Sequence, residues 1–307
     1  MLSFVLRRLA IAIPTLLVLI VASFLLMEAV PGSPFASERG IPPAVLANLE
    51  AKYGLDRPLI ERMGVYIWNV VTRFDFGPSF AYTSRTVNDI IAQGFPVTLT
   101  YGLWSFVVAV IVGVSLGIAA AVRQNTWLDY LAVGVSVGAQ VLPNFVMAPI
   151  LVLIFTLWLG WLPGGGWQGG QWQYVIMPVI ALSTSYMASI ARLTRSSMLE
   201  VLGAGFVRTA RAKGLPMRRV VMRHALKPAM LPVISYLGPA FVGMITGSVV
   251  VDVYFSTGGI GQFFVAAALA RDYSVMLGIT ILIGALTILF NLLADLLYAW
   301  IDPKIRY

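Results

Sequence analysis

The sequence has 307 residues, of which 59% are hydrophobic and only 11% are charged, and its mean hydropathy is +0.87. A soluble domain carries about 25% charged residues, and a soluble protein of this composition could not keep its apolar surface out of water. We therefore expect most of the chain to lie in lipid. A single histidine, His224, and the lack of cysteine exclude disulfides, cysteine-based zinc sites and thiol nucleophiles. In a membrane protein, a net charge of +8 can reflect orientation and does not require a nucleic-acid partner.

Six long apolar segments predict an all-α membrane protein. They lie at about 9–29, 97–122, 129–158, 174–193, 230–252 and 275–300. Each is long enough to cross the hydrocarbon core, and none alternates as a barrel strand does. The first follows Arg7 and Arg8, is longer than the apolar core of a signal peptide and has no small-residue cleavage site before Pro31, so we expect a retained helix. Thr126 and Asp129 predict a capping box where the third span begins.

The connections between these segments differ in charge. Residues 30–96 form a long insert with six basic and six acidic residues, whereas residues 194–229 are strongly basic. With six spans, the termini lie on the side of 194–229, and that side carries 14 of the 21 lysines and arginines. The positive-inside rule therefore predicts cytoplasmic termini and an outward-facing insert. We divide the chain into residues 1–29, the insert 30–96 and a core domain 97–307.

The segment from about 200 to 228 predicts two short helices split at Lys213–Pro216. Gly214 can adopt a positive φ at a helix end, and Pro216 can begin the next helix. Apolar residues such as Phe206 alternate with basic ones, so the segment is amphipathic. Three interpretations stay open: a charged loop that fixes topology, an interfacial helix, and a docking surface for a soluble partner. The apolar residues at the tip favour the docking surface.

The stretch Arg208-Thr-Ala-Arg-Ala-Lys-Gly214, followed by Leu226-Lys-Pro228, resembles the EAA loop of binding-protein-dependent ABC importers. Gly214 matches the glycine of that motif and Ala210 matches its second alanine. The arginine and threonine before Ala210 replace the glutamate and the first alanine of the family pattern. This form of the loop is typical of dipeptide, oligopeptide and nickel permeases.

Further motifs resemble the first permease of the oligopeptide group, in the same order over essentially the whole chain. They are Met1–Arg8, Pro31–Pro34, Glu50–Leu55, Asp75–Ser79, Trp161–Trp167, Arg223–Pro228, Gly258–Gly261, Arg271–Tyr273 and Ile301–Tyr307. The resemblance implies the fold of a type I ABC importer permease, with six transmembrane helices and a periplasmic insert between the first two. It also implies a place in the bacterial inner membrane.

In that family the EAA-loop helix sits in a groove on a cytoplasmic ATPase, so the resemblance implies a set of coupling contacts. These are Arg208, Thr209, Ala210, Lys213, Gly214 and Leu215. The implied partners are a homologous second permease, two cytoplasmic ATPase subunits, a periplasmic peptide-binding protein and membrane lipid. The sequence contains no P-loop of the form G-x-x-x-x-G-K-[ST], so we expect no cofactor in this chain and assign ATP and Mg²⁺ to the ATPase subunits.

Polar residues within the predicted spans are candidates for the translocation pathway or its gate. They are Ser235, Tyr236, Thr246, Ser248, Asp252, Asn291 and Asp295. A structural interpretation stays open for each. Asp295 can be a hydrated or paired residue near the inner interface, Asp252 can be satisfied at an outer helix end, and the residues from 235 to 248 can mediate helix packing.

The resemblance implies a permease subunit, not an enzyme, of an ATP-driven oligopeptide importer. A permease of the same build for dipeptides, nickel or another solute stays open, because selectivity in these systems resembles a property of the binding protein. An ion-coupled carrier predicts inverted repeats or buried coupling carboxylates, and neither is clear in the sequence. An intramembrane enzyme predicts paired carboxylates, a Ser/His pair or a metal-ligand cluster in the spans, and the sequence supports none of them.

Overall fold

The structure, a computed structural model, describes residues 2–30, 35, 48–51, 53–82 and 84–301, with side chains from residue 10 to residue 297. The helices are α1 (Leu2–Glu28), α2 (Leu59–Arg73), α3 (Val87–Val122), α4 (Trp127–Val141), α5 (Asn144–Leu151), α6 (Trp172–Leu202), α7 (Gly205–Ala212), α8 (Met217–Arg219), α9 (Leu226–Phe255), α10 (Ile260–Leu269) and α11 (Tyr273–Ile301). A π-helical turn, Val152–Trp158, continues α5, and another, Val220–Ala225, joins α8 to α9. The prediction of an all-α membrane protein is confirmed. The motif Pro31–Pro34 and nearly all of Ile301–Tyr307 lie outside the described residues.

Five helical stretches in the described part of the chain are long and apolar enough to cross a membrane. They are Ala10–Glu28, Val87–Val122, Trp172–Leu202, Met217–Phe255 and Tyr273–Leu297. The predicted span 129–158 is not one straight helix, because α4 meets α5 at an angle of 104°. The break falls at Leu142 and Pro143. A residue before proline is disfavoured in the helical region, and Leu142 accordingly adopts extended backbone angles.

The packing of α3 against α6 indicates that the bent pair α4–α5 still crosses the membrane. The two long helices run parallel, since Ser105 Oγ donates to the Val179 carbonyl at 3.4 Å and Gly117 lies against Thr194 further along. Both helices therefore end on the same face, and the chain must return to the opposite face between Val122 and the start of α6. The bent pair supplies that return, which agrees with the expected six spans.

A row of small residues allows α3 to approach α6 closely. The row comprises Ser105, Ala109, Gly113 and Gly117, which are all buried. A Cβ atom at Gly113 would lie 2.8 Å from the carbonyl oxygen of Met187, and one at Gly117 would lie 2.5 Å from that of Ala191. In lipid, where the hydrophobic effect does not drive helix association, such close contact supplies much of the packing energy. The parallel pair α3–α6 therefore forms the centre of the bundle.

The start of α3 differs from the prediction in position and in its cap. The helix begins at Val87 rather than near residue 97, within the stretch assigned to the insert. Thr86 and Asp89 form a reciprocal capping box there, with hydrogen bonds of 3.2 and 2.9 Å. The capping box predicted at Thr126 and Asp129 is wrong. The Thr126 side chain makes no capping hydrogen bond, and the carboxylate of Asp129 accepts hydrogen bonds from Arg195 of α6 instead.

Candidate functional site

The helix α7, the turn Lys213–Pro216 and α8 form a hairpin that connects the spans α6 and α9. We call it the coupling hairpin, after the role that the sequence resemblance implies for it. The predicted break is confirmed, since α7 ends at Ala212 and the next helix begins directly after Pro216. Gly214 adopts a φ of +76°, a value that residues with a side chain rarely take. The turn thus depends on glycine for its backbone geometry, even though no atom crowds the position of a Cβ.

One face of α7 packs on the body of the protein. Val207 is fully buried, and Ala210 is only 6% exposed. They share a hydrophobic cluster with the end of α3, the end of α6 and the start of α9. Its buried members are Ala121, Met198, Leu202, Val207, Ala210, Val220, Val221, Ala225 and Ala229. Because close-packed cores transmit displacement, a force on α7 reaches the ends of three spanning helices together.

The opposite face of the hairpin is exposed. Among the predicted coupling residues, Arg208, Thr209, Lys213 and Gly214 lie on this face, while Leu215 is half-buried against the cluster. The structure places the remaining predicted residue, Ala210, inside the cluster, where it contacts its own chain.

Phe206, which the sequence analysis did not include among the contacts, is 52% exposed. It lies three residues before Thr209 and seven before Lys213, a spacing that places all three on one helical face and could have identified it.

An ion pair lies between α4 and α6, in which the carboxylate of Asp129 is buried and the side chain of Arg195 is 27% exposed. Arg195 donates to both carboxylate oxygens of Asp129, at 2.6 and 2.8 Å, and the backbone N–H of Asn125 donates to the same group at 3.0 Å. The Asp129 side chain is 2% exposed. Arg195 is one of the 14 basic residues that predict the cytoplasmic side, and its pairing with Asp129 was not predicted. A bidentate pair of this kind fixes the start of the bent span against α6.

Asp252, a candidate gate residue, lies fully buried at the end of α9 remote from the coupling hairpin. Its carboxylate accepts hydrogen bonds from the hydroxyls of Tyr101 and Thr257, from Thr98 Oγ1 at 3.2 Å and from the N–H of Gly261 at 3.0 Å. These donors come from α3, α10 and the loop before α10. We call this group the Asp252 hub, and it ties three elements together at one end of the bundle.

The Asp252 hub gives a physical reason for the motif Gly258–Gly261. A Cβ atom at Gly259 would collide with the Asp252 carboxylate, and one at Gly261 would collide with the backbone of Val249. The N–H of Ile260 also donates to Thr98 Oγ1, at 3.0 Å. Glycine is therefore required because backbone and carboxylate approach closely.

The other pathway candidates on α9 separate onto different faces. The exposed face, which we call the α9 stripe, comprises Pro232, Ser235, Pro239, Thr246, Val250 and Val253. At about 100° per residue, Ser248 and Asp252 point to the opposite, buried side. Ser235 and Thr246 donate to carbonyls of their own helix, at 3.2 and 3.1 Å. Tyr236 is half-buried against the core of the bundle.

The remaining two pathway candidates, Asn291 and Asp295, lie on α11. Asn291 is exposed, and its Oδ1 would lie 3.5 Å from a Cβ at Gly238 of α9. A Cβ at Gly238 would also lie 2.5 Å from the Cβ of Ala294, so α9 and α11 cross closely here. Asp295, one turn after Asn291, is half-buried and interacts with its surroundings. The structure therefore places Asn291 beside Gly238 of α9, whereas the Asp252 hub lies near the other end of that helix.

An all-helical bundle with several spanning helices and a basic hairpin between two of them defines a multi-pass membrane protein, and the family comparisons identify its role as that of a permease subunit. The family described as "Binding-protein-dependent transport system inner membrane component" matches residues 113–307. The family described as its N-terminal component matches residues 1–102. The chain belongs to the binding-protein-dependent transport system inner membrane components.

Curated relatives cover the whole chain. It is 57% identical over 307 residues to the oligopeptide transport system permease protein OppB of Salmonella typhimurium, with 100% of both chains covered. The OppB protein of Escherichia coli K12 gives the same values. The dipeptide transport system permease protein DppB of Bacillus subtilis is 41% identical over 306 residues, covering 100% of this chain and 98% of that protein.

Solved structures share the fold. The inward-facing MetNI methionine ABC transporter matches with a TM-score of 0.59 at 16% identity, covering 69% of this chain and 96% of the other. An amino acid ABC transporter crystallised with histidines matches with a TM-score of 0.52 at 15% identity, covering 71% and 95%. At these identities the likeness establishes the architecture of an ABC importer permease.

Proposed function

We propose that this chain is a permease subunit of an ATP-driven importer that carries oligopeptides across the bacterial inner membrane. The observation that carries the proposal is the 57% identity, over the full length of both chains, to oligopeptide permeases of two bacteria. Identity to the dipeptide permease of Bacillus subtilis is lower, at 41%. Oligopeptides are therefore the substrate class that the sequence relationship favours.

The coupling hairpin is the proposed docking site of a cytoplasmic ATPase. Its exposed face offers an aromatic anchor, Phe206, beside Arg208, Thr209 and Lys213, and anchors of this kind dominate the binding energy of many interfaces. Its buried face joins the ends of α3, α6 and α9. Closure of two ATPase subunits on ATP and Mg²⁺ would thus move the hairpin as a rigid body and the three spans with it.

The α9 stripe is the proposed wall of the translocation pathway, which a homologous second permease completes. Support comes from its composition, since two of its six residues, Ser235 and Thr246, carry hydroxyl groups. Such a surface suits a water-filled route that accepts many side chains. Asn291 borders it near α11, with Asp295 one turn further along that helix. Behind the stripe, Asp252 ties α9 to α3 and α10, and Ser248 faces the buried side and donates to the Ile245 carbonyl of its own helix.

The outer face, with the insert 30–96, is the proposed receiving surface for a periplasmic peptide-binding protein. This orientation is supported by the charge distribution, because the Lys- and Arg-rich hairpin and the termini share one side. Both termini are then cytoplasmic.

Uptake by a strain that lacks its own peptide permeases tests the proposed substrate class. The chain is expressed with its partner subunits, and uptake of labelled di-, tri- and pentapeptides is compared with uptake of nickel. We expect ATP-dependent uptake of tri- and pentapeptides. Uptake of dipeptides alone, or of nickel alone, would contradict the proposal.

A further inference from the structure

The short helix α10 is held at both of its ends by a buried aspartate. Asp252, which precedes the helix, accepts the N–H of Gly261 in its first turn at 3.0 Å. Asp272, which follows the helix, is fully buried, and its N–H donates to the Ala267 carbonyl of the last turn at 2.8 Å. The ten residues of α10 therefore lie between two fixed points.

Asp272 binds the end of the insert. One oxygen of its carboxylate accepts the hydroxyl of Ser79 and the N–H groups of Phe80 and Ala81, the latter two at 3.1 and 3.0 Å. The other oxygen accepts the N–H of Val275, in the first turn of α11, at 3.2 Å. We call this group of residues the Asp272 clasp. It ties the segment that precedes α3 to the start of the last span.

The Asp272 clasp depends on its hydrogen bonds alone. The ion pairs within the described part of the chain do not include Asp272, so the carboxylate is satisfied by neutral donors. Removing one donor leaves a buried carboxylate under-satisfied, which is costly. The Ser79 hydroxyl also accepts the N–H of Tyr82, at 2.9 Å, so the turn that carries the donors is itself fixed. We therefore expect the end of the insert and the start of α11 to move together.

The helix α10 packs against the first turns of α3. A Cβ at Gly94 would lie 3.0 Å from the backbone nitrogen of Ile260, so the two helices meet closely where α10 begins. Near the other end of α10, Ala267 shares a buried cluster with Val87 and Ile90 of α3, and the start of α11 belongs to the same cluster. Because close-packed groups transmit displacement, α10 acts as a rigid element between the two carboxylates.

These contacts connect two surfaces that have proposed roles. The Asp272 clasp holds the insert, and the Asp252 hub holds the end of α9, which carries the proposed pathway wall. The helix α2 of the insert joins the same unit, because the Asn88 side chain of α3 donates to the Phe74 carbonyl at 2.6 Å and accepts the Phe76 N–H at 3.0 Å. A displacement of the insert therefore reaches α9 through buried, contiguous groups.

We propose that Asp272 is a positioning residue that transmits the docking of a peptide-binding protein from the insert, through α10, to the pathway helix α9. The inference rests on the proposed function and adds to it the route by which the outer face acts on the pathway. Docking that favours one position of the insert favours the matching position of α9, because α10 joins the two. Asp272 is fully buried, so it acts through its own chain and not by contact with the partner.

ATP hydrolysis by the assembled transporter tests the proposal. The complex is placed in lipid nanodiscs, where both faces are accessible, and trialanine-loaded peptide-binding protein is added at rising concentration. Hydrolysis by the unmodified complex should rise to a plateau. Ser79→Ala and Asp272→Asn weaken the clasp, and the loss of a hydrogen bond to a carboxylate should lower the plateau about tenfold. The half-maximal concentration of binding protein, and hydrolysis without it, should stay unchanged.

Two further variants sharpen the test. Ser274→Ala removes a hydroxyl two positions after Asp272 that is not part of the clasp, so this control should keep the full plateau. Thr98→Val removes the hydroxyl that donates to Asp252 and accepts the Ile260 N–H, at the other end of α10. A route through α10 predicts a lower plateau for Thr98→Val as well. A lower plateau from one end of α10 only would overturn the route.

Clasp variants that assemble normally and reach the same plateau as Ser274→Ala would overturn the proposal. A changed half-maximal concentration with a full plateau would assign the clasp to docking itself and would also overturn the positioning role. If the loaded binding protein does not stimulate even the unmodified complex, the proposed function fails together with the inference, a result distinct from equal responses of the variants. Should Asp272→Asn not assemble, Ser79→Ala, which removes a single hydroxyl, decides the outcome.

Discussion

The hydroxyl of Tyr101 on α3 donates a hydrogen bond to the buried carboxylate of Asp252, at the end of α9. The two residues are 151 positions apart in sequence, so the bond closes the bundle over a long loop of chain. Thr98, Thr257 and Gly261 supply the other donors of the Asp252 hub. A carboxylate buried to this degree is stable only when its donors are in place, which makes the hub sensitive to the loss of any one.

Replacing Tyr101 by phenylalanine removes one donor and leaves Asp252 under-satisfied. We expect a loss of about 1–3 kcal/mol of stability, the usual cost of leaving a buried partner unpaired. The measurement is thermal unfolding of the purified protein in detergent. Tyr254→Phe, at an exposed site near the same helix end, serves as the control. Equal melting temperatures for both variants would contradict the role given to the hub.

Breaking the ion pair between Asp129 and Arg195 should lower stability more than Tyr101→Phe does. Arg195→Met leaves a buried carboxylate without its counter-ion. Removing one partner of a fully buried pair costs about 3–5 kcal/mol, and we expect a loss near the lower end because the Arg195 side chain is 27% exposed to solvent. The double variant Asp129→Asn/Arg195→Met should recover part of that loss, because no charge is then stranded. Arg192→Met, on the same helix, is the control. The measurements are the amount of folded protein in the membrane and its melting temperature. A double variant with the same melting temperature as Arg195→Met would contradict the idea that an unpaired Asp129 carboxylate causes the loss.

The close contact of α3 and α6 predicts that Gly117 cannot carry even a methyl group without cost. Its Cβ would lie 2.5 Å from the Ala191 carbonyl oxygen, whereas a Cβ at Gly134 of α4 meets no atom within 4 Å. Gly117→Ala should therefore lower the free energy of unfolding by about 1–3 kcal/mol, the usual cost of overpacking a core, and the melting temperature should fall with it. Gly134→Ala should leave it unchanged or raise it slightly, since alanine favours helix. A lower melting temperature for Gly134→Ala than for Gly117→Ala would contradict the close contact between α3 and α6.

Substitutions on the two faces of α7 should affect different properties: ATP-driven uptake on the exposed face and stability on the buried face. Phe206→Ala removes an exposed side chain, so we expect a nearly unchanged melting temperature but at least a tenfold fall in ATP-driven uptake. Val207→Ala opens a buried cluster, so we expect a lower melting temperature. Both are compared in the assembled transporter by uptake and by thermal unfolding. Normal uptake by Phe206→Ala would exclude this side chain from the docking surface.

The sequence predicted the features that local chemistry determines. Hydropathy located the spans, and Gly214 with Pro216 located the break in the coupling hairpin. The bend at Pro143 was also accessible, since the proline disfavours a helical conformation at the residue before it. It was missed because the apolar run is continuous across the break, and hydropathy alone does not register a change of helix direction.

Other features could not be predicted because they depend on distant residues. The burial of Ala210 follows from the rotation of an eight-residue helix against α6 and α9, which a short amphipathic pattern does not fix. The donors of Asp252 include residues more than 150 positions away, and Arg195 meets Asp129 across 66 positions. Only the packing of the parallel helices brings these groups together.

Site-specific crosslinking tests the proposed coupling most directly, because the chain contains no cysteine and a single one can be introduced at Thr209. In the assembled transporter, Thr209→Cys should crosslink to an ATPase subunit, with a yield that changes when ATP binds, while Trp68→Cys on α2 should not. If Thr209→Cys reacts only with lipid or detergent while ATP-driven peptide uptake continues, the coupling hairpin is not the ATPase contact.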